Sequence, residues 1–158
     1  MDKSSILIGT LLFALFMFPI FYIIIFQKTK EAGIRKKLNK VASSNNLKLD
    51  KFETFGHLSL ALDSTSKKLL VYDSFTSVEI RIIDLRKVSN IQLSKILHPG
   101  RSKKERIIHL GLQIVDFSSS DITEIIFYDE DDYESTDAEI RLNDARKWDA
   151  LLKQNLVT

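Results

Sequence analysis

The spacing of hydrophobic positions changes twice along the chain. Residues 6–26 are apolar almost without a break, and no charge occurs between Ser4 and Gln27. Fifteen of these 21 residues are Leu, Ile or Phe. As a helix rising ~1.5 Å per residue they span about 31 Å, close to the ~30 Å hydrocarbon core of a bilayer. The pattern predicts a transmembrane helix over residues 1–27, with Pro19 tolerated inside it. A cleaved signal peptide fits less well. The apolar run exceeds the usual ~7–15 residues of such a segment, Met1-Asp2-Lys3 is barely basic, and Phe26-Gln27-Lys28 offers no small-residue cleavage site.

Residues 28–46 form the second pattern. Ile34, Leu38, Val41 and Ala42 recur at helical spacing, with Lys36, Lys37, Lys40 and Ser43 off that stripe. The segment reads as a basic amphipathic juxtamembrane helix ended by Ser43-Ser44-Asn45-Asn46. It is an extension of the membrane helix, a helix on the headgroups, or a helix packed on the domain that follows; Gly33 offers a place to bend.

From residue 47 the period becomes two. Leu58, Leu60 and Leu62 share a face, the turn 63–67 follows, and residues 68–73 return as a hairpin. Residues 78–82 and 90–97 read as further strands. A long strand over 106–117 sets Ile108, Leu110, Leu112 and Ile114 on one face, with Gly111 marking a bulge or bend. Residues 122–128 pair back, and 47–55 supply a further short strand. Six to seven strands with no helix between them predict antiparallel pairing in a barrel or sandwich. A final helix, capped by Asp137 or Asn143, aligns Leu142, Ala145, Trp148 and Leu152. Trp148, the one tryptophan, reads as a core anchor plugging the end of the strand layer.

Charge adds direction. Residues 1–115 carry 19 basic against 9 acidic side chains, a balance of +10, whereas residues 116–158 carry 4 against 12, a balance of −8. Lys28, Lys30, Arg35, Lys36, Lys37 and Lys40 follow the apolar run, opposed by Glu31 alone. The positive flank of a membrane helix normally stays in the cytoplasm, which predicts an outward N-terminus and a cytoplasmic domain. These six cations either set topology only or also bind anionic lipid headgroups. Arg101, Lys103, Lys104 and Arg106 form a basic loop, read as a solvated tip or a second membrane or partner contact. An anionic leaflet is expected to attract that loop and repel the acidic residues 129–139. No aromatic residue is interleaved with the cations, so nucleic acid is not an expected partner.

Candidate chemistry is sparse. The chain has no cysteine, which excludes disulfides, thiolate metal sites and thiol catalysis. His57, His98 and His109 lack metal-ligand spacing and read as surface or strand-face residues. Asp129, Glu130, Asp131, Asp132 and Glu134 form an acidic run. It fails as a calcium loop, with Glu134 at the sixth position and Ile140 at the twelfth. It is a solvated loop or a docking site for a basic protein partner. No Gly-rich phosphate loop or Gly-x-Ser-x-Gly nucleophile motif occurs. No catalytic residue, metal or cofactor is expected.

Three segments carry a family resemblance: the hairpin of residues 58–72, residues 82–91, and the closing Ala145-Arg146-Lys147-Trp148-Asp149-Ala150-Leu151-Leu152. Six to seven strands capped by one tryptophan-bearing helix resemble the pleckstrin-homology-like (PH-like) superfamily, especially its small bacterial membrane-anchored members. The resemblance implies a mainly-β (α+β) domain over 47–158, an antiparallel PH-like barrel closed by the last helix, at the cell inner membrane. It also implies a binding or scaffolding module; the leading reading is a non-enzymatic one that presents this domain to cytoplasmic partners, as in an accessory subunit of a membrane complex. Inositide-binding members carry a basic cluster in the first hairpin loop; here that loop holds Asp63, Lys67 and Lys68, which departs from the pattern. A structural single-helix subunit and an enzyme with an unrecognised site are the alternatives.

Overall fold

The computed structural model describes residues 3–74, 77–98, 106–117, 122–131 and 137–156. The chain divides into two units, Met1–Lys37 and Leu38–Thr158. One helix, α1 (Lys3–Ser44), begins in the first and ends in the second, and both Pro19 and Gly33 lie within its assigned span.

The end of α1 is set by local chemistry. Asn46 takes a left-handed backbone conformation (φ 54°), which asparagine tolerates better than most residues. That lets the Leu47 amide donate back to the Ala42 carbonyl at 2.9 Å and the Asn46 amide to Ser43 at 3.2 Å. These two bonds satisfy carbonyls that a helix end leaves open. Of the apolar stripe, Ile34, Leu38 and Ala42 are buried and Val41 is half-buried. The second compact unit starts at Leu38, inside the segment read from sequence as tether.

Seven strands follow: β1 (Lys51–Phe55), β2 (Leu58–Asp63), β3 (Lys68–Asp73), β4 (Ser77–Asp84), β5 (Val88–His98), β6 (Arg106–Asp116) and β7 (Ile122–Asp129). Every ladder is antiparallel. They form two sheets, β1-β2-β3-β4 and β5-β6-β7, and no ladder joins them among the described residues. The closed barrel expected from the sequence is thus replaced by two open sheets. The chain changes sheet at a 3-10 turn, Leu85–Lys87, where Leu85 is fully buried and the Asp84 side chain accepts from the Arg86 amide. That turn breaks the strand period and redirects the chain, so β5 pairs with β6 rather than with β4.

The core lies between the sheets. Leu58, Leu60, Leu62, Leu69 and Val71 come from the first sheet, and Ile91, Leu110, Leu112, Ile114, Ile125 and Phe127 from the second. Ser59, Ala61, Leu70 and Tyr72, on the alternate positions of β2 and β3, are buried as well, so these two strands are covered on both faces. The expected phase of β6 holds from Leu110 to Ile114 but not at its start. A register shift between Ile96 and Leu97 pairs Ile96 with His109 and Leu97 with Ile107. The extra residue, Ile108, is left half-buried, and Ile107 enters the core instead. A second shift falls at Leu110/Gly111, the expected irregularity.

The last helix, α2 (Ala138–Asn155), packs mainly on β5, β6 and β7. Asp137 is its cap, accepting from the Glu139 amide at 2.9 Å; Asn143 lies exposed within the helix. Leu142, Ala145, Trp148 and Leu152 are all buried. Trp148 reaches beyond the second sheet to the first. Its indole N–H donates to Glu53 on β1 at 2.9 Å, and its ring meets Phe55 edge-on at 6.5 Å. Phe55 in turn lies 5.4 Å from Phe127. Trp148 is therefore a tie between two sheets rather than a plug in a barrel mouth.

Candidate membrane segment and partner surface

In the first unit, large apolar side chains are exposed along residues 8–26. Leu15, Phe16 and Phe18 are 67%, 71% and 72% exposed. Burying one such side chain is worth roughly 1.5–3 kcal/mol, so a dozen of them in water form a large unfavourable surface. Among the described residues, one helix, Ile8–Ser44, is long and apolar enough to cross a membrane.

Lys28, Lys30, Arg35, Lys36, Lys37 and Lys40 are all exposed on α1 directly after that stretch. At ~100° per residue they do not share one face: Lys28 and Arg35 point one way, Lys30 and Lys37 nearly opposite, Lys36 and Lys40 between. They form a partial collar, with the buried Ile34, Leu38 and Ala42 on the remaining face.

The two charged runs of the domain meet. Arg106, which closes the basic loop, forms an ion pair with Glu130, the second residue of the acidic run. The Glu130 amide also donates to the Ile108 carbonyl at 2.9 Å. Arg101, Lys103, Lys104, Asp132 and Glu134 lie outside the described residues. Antiparallel pairing explains the meeting: the residue that opens β6 and the one that follows β7 sit at the same end of their hairpin. Arg106 and Glu130, one from each run, are thus neighbours.

Asp129 and His109 face each other across the same hairpin. His109 Nδ1 lies 3.1 Å from Asp129 Oδ2, and its Nε2 lies 3.2 Å from Glu124 Oε1. Burial of the ring pulls its pKa down, but the hydrogen bonds and charges of Asp129 and Glu124 outweigh this and leave it raised. Asp129 also accepts from the Asp131 amide at 3.0 Å, and this bond, with His109, holds its carboxyl below the usual range despite partial burial. Asp131 itself is exposed.

His57 is not a surface residue. It sits in the β1–β2 turn, after Gly56 (φ 62°), and is 4% exposed, with Nε2 3.2 Å from the Ile126 carbonyl on β7. It thereby connects a turn of the first sheet to an edge strand of the second. His98 is exposed at the end of β5.

Three carboxylates have structural roles that the sequence did not mark. Asp63 is 1% exposed and accepts amides from Lys48 (2.7 Å), Thr65 (3.0 Å) and Ser66 (2.8 Å). Burial works against its charge, but these donors hold its pKa below the ordinary value. Asp84 takes a forked contact from Arg86 and a 2.6 Å bond from Lys68. Chiefly through Arg86, and against burial, its carboxyl is held far below the usual carboxylate range. Glu53 receives both Trp148 and Lys147; these outweigh its burial and lower its pKa. An Asp that opens a turn and an Asp before a Leu-Arg-Lys corner are readable signals only once the turns are known. Among the described residues, no group of three His, Asp or Glu side chains is arranged to hold a metal ion. No family model, no curated relative and no solved structure matches this chain.

Proposed function

We propose that the chain is a single-pass membrane-tethered binding module. Residues 8–26 cross the membrane, the cationic collar rests in the cytoplasmic headgroups, and the two-sheet domain presents itself to a protein partner in the cytoplasm without catalysing a reaction. The observation that carries this reading is a single helix, α1, that begins as exposed apolar surface, continues through six exposed cations, and carries the buried Leu38 and Ala42 in its last turns. The PH-like resemblance supports a scaffolding role for such a domain, and the charge of the flanks supports its orientation. The acidic residues Asp129, Glu130 and Asp131, with Asp132 and Glu134, are the proposed docking surface for a basic partner. Arg101, Lys103 and Lys104 are proposed to contact anionic lipid or the same partner, with Arg106, the fourth cation of that loop, tied to Glu130.

The exposed apolar helix also favours a second reading, in which the span itself packs into a larger membrane assembly. Replacing residues 6–26 with an unrelated membrane helix separates the two. Partners captured from solubilised membranes are retained if the domain binds them, and lost if the helix does. Changing Glu130 and Asp131 to Lys is expected to abolish capture of a domain-bound partner while leaving membrane attachment unchanged.

A further inference from the structure

The arrangement around His109 goes beyond tethering. A neutral imidazole donates from only one ring nitrogen, whereas the protonated ring donates from both. Here each nitrogen faces a carboxylate oxygen, Asp129 at 3.1 Å and Glu124 at 3.2 Å. Only the protonated ring satisfies this geometry. In the neutral ring one lone pair is directed at a carboxylate, and that contact is repulsive.

The backbone is shaped to permit the contact. In the ladder His109 pairs with Asp129, but Glu124 pairs with Gln113, so its side chain must reach back along β6 to the ring. It does so over Gly111. A Cβ at that position would lie 2.6 Å from Glu124 Oε1 and 2.9 Å from its Cγ. The absence of a side chain at Gly111 is what makes room for the carboxylate. The ring is well enclosed, with 17% of the side chain exposed, whereas Glu124 and Asp129 are about one-third exposed.

Among the described residues, the surrounding titratable and charged groups are these. From the β1–β2 turn, His57 acts on Asp129. On β6, Arg106 is engaged by Glu130. On β5, the residue paired with His109 is the apolar Ile96, with Lys95 before it and His98 two positions after. Asp129 keeps a second donor, the Asp131 amide, in either state of the ring. Glu124 is the longer side chain, and its described partner is His109.

We infer that His109 is a pH-operated latch: protonated, it clasps Glu124 and Asp129 across the outer face of β6 and β7; neutral, it keeps Asp129 and releases Glu124 from the Gly111 notch. The sign follows from the raised pKa of the folded state. The clasp contributes fully below the ordinary imidazole value of 6.5 and is lost as pH rises through the higher folded value. Release changes the local charge of the three groups from one net negative charge to two. The latch stands whether or not the acidic run, which Asp129 opens, docks a partner.

The test uses the full chain in lipid nanodiscs with isotope-labelled histidine and glutamate. His57→Gln and His98→Gln identify the His109 signal. The expected result is a His109 titration midpoint above 6.5, with the Glu124 side-chain carboxyl signal moving at that same midpoint. Glu124→Gln, a near-isosteric change at a partly exposed site, is expected to shift the His109 midpoint downward, and Gly111→Ala to shift it in the same direction by displacing Glu124. A wild-type midpoint at or below 6.5 overturns the latch without reference to any variant. So does a midpoint that Glu124→Gln leaves in place, or a Glu124 signal that ignores the His109 titration.

Discussion

In Met1–Lys37, side chains such as Leu15, Phe16 and Phe18 have most of their surface exposed; in Leu38–Thr158, Leu60, Leu112 and Trp148 have almost none. The residue types are similar, but the partners differ. The β domain supplies its own apolar surroundings, because period-two strands stack one face of each sheet on the other and α2 covers the gap. Residues 8–26 before it expose large apolar side chains, and the first unit contains no sheet to bury them, so we propose that their surroundings come from outside that unit. A lipid bilayer meets that need for a helix of this length. The two regions thus have separate sources of stability. Substitutions in the domain should change a cooperative folding transition, whereas substitutions in the span should change membrane attachment.

Trp148 gives the strongest test of that separation. Trp148→Ala removes the tie to Phe55 and leaves Glu53 without its indole donor. A loss of about 3–5 kcal/mol is expected for a buried large aromatic. Chemical denaturation of the detergent-solubilised chain, followed by tyrosine fluorescence, reads this directly, and membrane fractionation of folded protein should be unchanged.

Leu38 marks the seam. It is fully buried and one residue beyond the exposed Lys37. Leu38→Ala is expected to cost about 2–5 kcal/mol in the same assay. Lys37→Ala, on the other side of the seam, should leave the midpoint within the small range typical of surface changes. Equal effects at the two positions would move the boundary of the domain.

Asp63→Ala leaves three backbone amides without their carboxylate. A buried donor left unsatisfied costs roughly 1–3 kcal/mol, so a loss in that range or somewhat above it is expected. Asp63 and Asp84 also set the acid limb. Both carboxyls are lowered in the folded state, so their contribution is complete above the ordinary carboxylate range near pH 4. It falls as pH drops below that range toward the folded values. Asp84→Asn should flatten the stability profile between about pH 4 and pH 2, measured by denaturant midpoints at stepped pH.

Much of the architecture was legible because one face of each strand is buried. Leu58, Leu60 and Leu62 declare their face, as do Leu110, Leu112 and Ile114, and α2 is readable from Leu142 to Leu152. What escaped depends on single-residue register. Nothing in Arg106-Ile107-Ile108 says which isoleucine enters the core, because the bulge opposite Ile96 decides it. Two sheets rather than a barrel follow from the corner at Asp84 and Leu85, where a capping contact replaces a strand pair. His57 was unreadable as a buried residue because its partner, the Ile126 carbonyl, is 69 positions away. The meeting of Arg106 and Glu130 was implicit in the β6–β7 hairpin, but net charge counted over long segments conceals it.

We propose that one helix tethers this domain on the cytoplasmic side of a membrane. The absence of native cysteine allows a clean measurement. Gln154 is exposed on α2, so Gln154→Cys places one accessible thiol on the domain. A membrane-impermeant thiol reagent is expected to leave this residue unlabelled in intact cells and to label it after permeabilisation, with the protein in the membrane fraction throughout. Efficient labelling of intact cells, or recovery of the protein in the soluble fraction, would contradict it.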